Sequence, residues 1–353
     1  MLLVHVEGKP GVYRIPDNSI GLSKNERIKG YQANELGFRG MAPVPAQVDL
    51  VTLGDSFTYG IDAAQPWPER VAHRLGWQVL NLGIIGGSPS ALIPALTEYG
   101  FPHRPRVVVF AYFEGNDFYP CELPARPQGA RWSDRLILPD FWGAIEFKAL
   151  HWLMPSRITT ALNSDVVTPS KVEINYRPVE LTFAPAYVTT LTIDRVRLES
   201  SENWRIVSHS LLQMRDLAVM HESKFILVYI PEITRVYWPY IRENLDVVKQ
   251  LYSDKVYQWA SDENCLTLVK NQLTPGEMIF RDGLDATLDE QQKLMADFAA
   301  RNNIPFLDLT EPLRAYAGTG AILARSFETH YNDDANEVMA TAVADFIAAH
   351  FGK

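Results

Sequence analysis

A chain of 353 residues, 47% hydrophobic and 21% charged, has room for one large domain or two ordinary ones and the composition of a folded protein rather than a disordered one. Its formal net charge of -9 argues against a nucleic-acid phosphate backbone as partner. Its two cysteines, Cys121 and Cys265, make no CxxC or Cys/His ligand spacing, and no window approaches the roughly 18 apolar residues of a membrane span, so neither a metal site nor a spanning segment is expected.

Residues 1–46 read as a polar lead-in with turns at "PDNS" and "ELGFRG", ahead of a domain over 47–353. The opening "MLLVHVEGKPGVYRIPDNS" meets a charge and a proline too early for a secretory apolar stretch. Cytoplasmic placement is therefore the default expectation, and export is expected only if a signal segment has been removed.

From residue 48 strands and helices alternate. "VDLVTLG" (48–54) reads as a strand, "PWPERVAHRLG" (66–76) as a helix ended by Gly76, and "WQVLNLG" (77–83) as a second strand. "SPSALIPALTEYG" (88–100) reads as a helix capped by Ser88 with Pro89 at its first position. "RVVVFAYF" (106–113) is a continuous apolar run of the kind buried on both faces of a sheet. Regularity then breaks over 118–200, an insertion after strand three. It holds an amphipathic stretch, "FWGAIEFKALHWLM", and a β-like one, "KVEINYRPVELTF". Alternation returns with a helix near 202–222, the strand "KFILVYIP" (224–231), a helix near 286–302, the strand "IPFLDL" (304–309) and a last helix, "DDANEVMATAVADFIAAHF". Five apolar strands separated by helices predict a mainly parallel sheet covered on both faces.

In such sheets ligands bind at the carboxyl ends of the strands. Ser56 stands there, after strand one. A serine hydroxyl is a weak nucleophile and needs a base, an orienter for that base and donors for an oxyanion. The other strand ends offer them. "NLGIIGGS" brings Gly86 and Gly87, where backbone N–H groups can approach a ligand closely. "EGND" brings the side-chain amide of Asn116. "FETHYNDDAN" brings His330, with Glu328 two residues earlier.

"GDSFTYG", the glycine after "NLGII", "GND" and "ETHYN" together resemble the ordered blocks of the SGNH (GDSL-type) hydrolase superfamily. The family's Ser, Gly, Asn and His match Ser56, Gly86, Asn116 and His330 in chain order, over about 48–117 and 224 to the end. The resemblance implies a three-layer α/β/α, flavodoxin-like fold with a mainly parallel five-stranded sheet. It implies a metal-independent, cofactor-free serine mechanism. Ser56 would attack an acyl carbon, His330 would move the proton, and the N–H groups of Ser56 and Gly86 with the Asn116 amide would form the oxyanion hole. The sequence departs from the family's pattern at two places. The common D-x-x-H spacing would put an acid at 327, which is Phe327. Glu328 fills the D-x-H position instead and is taken as the orienter. A glycine common two residues before the asparagine is Glu114 here.

Each of these residues also has a plainer reading. Ser56 could cap a helix, Asn116 and Asp117 could form a turn, and Asp55 is read as a turn residue or a hydrogen-bond acceptor behind the serine. His73, His209 and His221 lie on helices without partners and are read as structural. Arg235, Tyr237 and Trp238, after strand four, are candidate substrate contacts or packing residues. The chain has no GxxxxGK[ST], HExxH or GxSxG, and "GTG" at 318–320 follows no strand.

The main expectation is an esterase that removes a short acyl group such as acetyl from a small-molecule or carbohydrate alcohol. The alternatives are an O-acyltransferase that passes the acyl group to a sugar hydroxyl, and a non-catalytic binding module on the same fold.

Overall fold

Each of the five apolar runs forms a strand, and all five join one parallel sheet. The computed structural model describes residues 4–5, 13–14, 34, 36–118, 170–183, 185–244, 247, 281–324 and 330–352. The strands are β1 (Leu50–Gly54), β2 (Val79–Asn81), β3 (Val107–Phe113), β4 (Lys224–Ile230) and β5 (Phe306–Asp308). Their order, β2-β1-β3-β4-β5, is the flavodoxin-like one. All residues of β1 and β3 are buried, which is why their sequences run apolar without alternation.

The helices that position the site are α1 (Ser56–Tyr59), α2 (Trp67–Leu75), α3 (Pro89–Ala95), α4 (Pro185–Thr190), α5 (Glu202–Met220), α6 (Ile233–Ile241), α7 (Glu290–Arg301), α8 (Thr310–Ala317) and α9 (Asp333–Phe351). Helix α2 packs on α9, α9 on α8 and α8 on α6, while α3 packs on α5, so helices cover the sheet on both faces. Local chemistry sets the ends. Gly76 closes α2 in the left-handed conformation (φ 67°). Pro89 opens α3, and Ser88 holds the cap position there without a side-chain bond to the helix backbone.

Within the region expected as an insertion, Ser170–Ile174 and Arg177–Leu181 pair as an antiparallel hairpin. Asn175 and Tyr176 turn it with positive φ (51° and 61°), as a two-residue hairpin turn requires. One face is apolar and buried through Val172, Ile174, Val179 and Leu181. The amphipathic stretch "FWGAIEFKALHWLM" and both cysteines lie outside the described residues. No helix among the described residues is long and apolar enough to cross a membrane.

Candidate active site

The site begins where β1 stops. A Cβ on Gly54 would collide with the Thr58 hydroxyl and approach the Ala111 carbonyl oxygen to 2.7 Å, so only glycine lets the chain turn this tightly. Asp55 then caps α1, its carboxylate accepting the Phe57 N–H at 2.9 Å. Capping therefore falls to Asp55 and leaves the neighbouring hydroxyl, Ser56 at the first position of α1, for other partners. Ser56 Oγ lies 2.8 Å from His330 Nε2, a contact that spans 274 residues of chain. The serine is only 5% exposed.

His330 is placed by the residues that follow it. Asn332 caps α9, accepting from Ala335 N–H at 3.0 Å. Asp333 accepts the backbone N–H groups of Ala64 (3.1 Å) and Gln65 (3.2 Å) and pairs with Arg70 at 2.7 Å. Asn336 accepts Trp67 N–H at 2.9 Å. Two side chains of one helix start, Asp333 and Asn336, thus grip the loop after α1. The serine's element and the histidine's element are stapled together. Phe57 lies beside the imidazole (4.8 Å between centroids) and stacks on Phe113 at 3.7 Å, giving the pair an apolar floor.

The loop after β2 comes to the same place. Ile84 N–H donates to Gly54 O at 2.9 Å, and Gly87 N–H closes a turn on Ile84 O at 2.8 Å. Gly86 occupies the third position of that turn with φ 72°, which favours glycine there. After β3, the Asn116 amide comes near the Asp55 carboxyl and the Tyr187 hydroxyl. Its Oδ1 is buried with no hydrogen-bond partner.

The ground beneath the serine is acidic. Burial pushes the Asp55 carboxyl up to about 7, against the Phe57 N–H and Asn116 amide, which favour its charged form. Burial, then the neighbouring Asp55 charge, holds Asp117 well above the ordinary range, although Asp117 accepts Phe113 N–H at 2.8 Å. Glu232, which caps α6, is pushed up to about 8, chiefly by burial.

Of the residues expected at the site, Ser56, Asp55, Asn116 and His330 come together, and the Gly86 turn is tied to the last residue of β1. Glu328 lies outside the described residues. Arg235, Tyr237 and Trp238 are buried on α6, with their polar atoms engaged inside the fold. Arg235 pairs with Glu114 (3.4 Å) and Asp289 (2.8 Å) and donates to Leu288 O. The Tyr237 hydroxyl donates to Ala321 O at 2.6 Å, and Trp238 Nε1 donates to Asp285 at 2.5 Å. Glu114, in the place of the family's glycine, turns toward this network, accepting from the Tyr229 hydroxyl (2.6 Å) and Glu232 N–H (2.9 Å). Burial raises its carboxyl, partly offset by Arg235.

Two residues escaped the sequence reading. Arg39, in the lead-in, donates to the carbonyls of Tyr59 (3.1 Å), Gly60, Ala63 (2.9 Å) and Ala64 (3.0 Å), wrapping the loop after the serine. Its one sequence signal is an arginine inside the glycine-flanked "GFRG". Tyr187, beside Asn116, carries no sequence signal. Among the described residues no cluster of His, Cys, Asp and Glu could hold a metal ion.

No protein-family model matches the sequence, and no curated protein matches it. Several solved structures are similar over most of their length. A lipolytic protein of the G-D-S-L family from Desulfitobacterium hafniense is 12% identical, with 84% of this chain and 98% of that one covered and a TM-score of 0.38. A GDSL-like lipase from Bacteroides thetaiotaomicron is 11% identical, with 85% and 88% covered and a TM-score of 0.38. A variant of an acetylxylan esterase from Geobacillus stearothermophilus is 13% identical, with 86% and 96% covered and a TM-score of 0.39.

Proposed function

We propose that this chain is a serine esterase of the SGNH (GDSL-type) kind, cleaving a short acyl ester such as an acetyl group on a carbohydrate. The observation that carries the reading is the 2.8 Å contact between Ser56 Oγ and His330 Nε2 at the carboxyl end of a parallel sheet. The ordered Ser, Gly, Asn and His blocks of the sequence support it, as does Asp55, which takes the capping role that would otherwise occupy the serine.

In the proposed reaction Ser56 Oγ forms a bond to the acyl carbon while His330 Nε2 accepts its proton. The oxyanion receives hydrogen bonds from the N–H groups of Ser56 and Gly86 and from the Asn116 amide. Collapse breaks the ester C–O bond, and His330 returns the proton to the leaving alcohol. Water then attacks the acyl-serine with His330 again as base, releasing the acid and restoring the hydroxyl. Glu328 is the proposed orienter of His330. With a sugar hydroxyl in place of water, the same steps would transfer the acyl group.

The test is labelling with a fluorophosphonate probe alongside p-nitrophenyl acetate turnover, in wild type, Ser56→Ala and His330→Ala. Label on the wild type, none on Ser56→Ala and turnover lost in both variants is the expected result. A folded wild type that neither labels nor turns over would sink the proposal. Adding an oligosaccharide acceptor and measuring acylated sugar against free acid separates hydrolysis from transfer.

A further inference from the structure

The short connection after α8 is held from two sides. The hairpin of the region expected as an insertion packs on it: a Cβ on Gly320 (φ 81°) would come within 2.8 Å of Ile174 O and 2.9 Å of Arg177 Cβ. From α6, the Tyr237 hydroxyl enters its backbone, donating to Ala321 O at 2.6 Å and accepting Leu323 N–H at 3.1 Å. Burial pushes that phenol up, so it stays a neutral donor through the physiological range. One hydroxyl thus serves an acceptor and a donor two residues apart and fixes the course of the chain between them.

The same connection carries the residues that follow His330. Asn332 N–H donates to Leu323 O at 2.8 Å, and the Asn332 side-chain amide donates to Ile322 O at 2.6 Å. Ala324 pairs antiparallel with Tyr331. Tyr331 in turn donates its hydroxyl to Pro231 O at 2.9 Å and sets its ring edge-on to Phe57, 5.4 Å between centroids at 80°. The two residues directly after the imidazole are therefore laid against backbone that Tyr237 shapes. Asp333 and Asn336 fasten the start of α9 to the loop after α1, but they stand three and six residues beyond the histidine.

We infer that Tyr237 is a positioning residue for the reaction: its hydroxyl sets the backbone on which Tyr331 and Asn332 lie, and so holds His330 Nε2 at Ser56 Oγ. The inference rests on the esterase reading, and it gives a residue of α6 a part at the site through the histidine rather than through the substrate.

The experiment measures kcat and KM for p-nitrophenyl acetate, with Tm, in wild type, Tyr237→Phe and Asn332→Ser. The first variant removes the hydroxyl. The second removes the amide bond to Ile322 O and keeps a side chain that can cap α9, so the inference does not hang on one variant folding. Each should lose about 10- to 10²-fold in kcat, as a displacement of about 1 Å produces, with KM changed by less than about twofold. Tyr240→Phe, which removes another α6 hydroxyl, bonded to Arg314 O at 3.1 Å, should keep the wild-type kcat. A hydroxyl that only stabilises the fold would lower Tm and leave kcat alone. That result in Tyr237→Phe, a wild-type kcat in folded Asn332→Ser, or an equal fall in Tyr240→Phe would overturn the inference.

A second readout needs no turnover. In protein labelled with 13C,15N-histidine, the imidazole signal missing from His330→Ala reports the contact with Ser56, so Ser56→Ala should move it. In Tyr237→Phe that signal should already be displaced, and adding Ser56→Ala should move it less than about half as far, because the two changes act on one contact. A full Ser56→Ala shift in the Tyr237→Phe background would also overturn the inference. Failure of the esterase reading would look different: a folded wild type that takes no fluorophosphonate label while the histidine signal still answers to Ser56→Ala. The positioning role would fall with that reading, leaving only a structural contact.

Discussion

A fully buried carboxyl directly before the proposed nucleophile is an unusual neighbour, and Asp55 shows what it costs. One of its oxygens caps α1 and the other, Oδ2, has no hydrogen-bond partner. Burial raises the group from 3.8 to about 7. The folded chain therefore holds this proton more tightly than the unfolded chain does. The stabilisation is complete below about pH 4 and is lost as pH rises through about 7. Glu232, raised to about 8, adds to the same trend over a slightly higher window. We expect the wild type to lose unfolding free energy between pH 5 and 8, and Asp55→Asn to flatten that loss. Each pH unit between folded and unfolded values is worth about 1.4 kcal/mol, so the gap between variant and wild type should widen by about 2–4 kcal/mol over that span. Urea unfolding at several pH values measures it, and parallel curves for the two proteins would show that Asp55 titrates normally.

At the scale of elements, the site depends on two short connections held against each other. The loop after α1 is gripped from one side by Asp333 and Asn336, on the helix start that carries His330, and from the other by Arg39. The guanidinium of Arg39 serves four carbonyls at once, and hydrogen bonds to a charged group are each worth about 1.5–3 kcal/mol. Arg39→Ala should therefore destabilise the fold by at least about 2 kcal/mol and slow fluorophosphonate labelling of Ser56. Arg39→Lys, which keeps the charge but not the planar fork, should fall between the two. Labelling at the wild-type rate in Arg39→Ala would show that the loop holds its shape unaided. The strands of this site were legible in the sequence because buried parallel strands are unbroken apolar runs, as "RVVVFAYF" is. Ser56, Asn116 and His330 were legible because each ends an element or begins one. Arg39 and Tyr187 were not, because their partners are backbone and side-chain atoms brought near by tertiary folding, and no local period announces that. Arg235, Tyr237 and Trp238 were read as borderers of the site because "PEITRVYWP" follows a strand end. Pairing and packing turn them inward instead, a distinction that nine residues of sequence do not carry.

Across the whole molecule, the carboxyl end of the sheet is divided in two by β3. One side holds Ser56, His330 and Asn116. The other holds a buried ionic network in which Glu114 meets Tyr229, Arg235 and the N–H of Glu232, while Arg235 reaches on to Asp289 and Thr310. Glu114 and Asn116 are two residues apart, yet one serves the network and the other the site. The network joins β3 and β4 to α6, to the start of α7 and to α8, so it braces the half of the sheet beside the one that carries Ser56 and His330. Removing one member of a buried pair leaves the other charge without compensation, which typically costs about 3–5 kcal/mol. Arg235→Ala should therefore lower the unfolding free energy by about that amount while leaving KM for p-nitrophenyl acetate nearly unchanged. A substrate-binding arginine would show the reverse, a raised KM with stability intact. Pairing Arg235→Met with Glu114→Gln removes both charges together and should recover a large part of the lost stability, because neither partner is then left charged and alone. Additive losses in the double variant would show that Glu114 is stabilised by Tyr229 and the Glu232 N–H without Arg235, and the brace would then be a hydrogen-bond cluster rather than an ion pair.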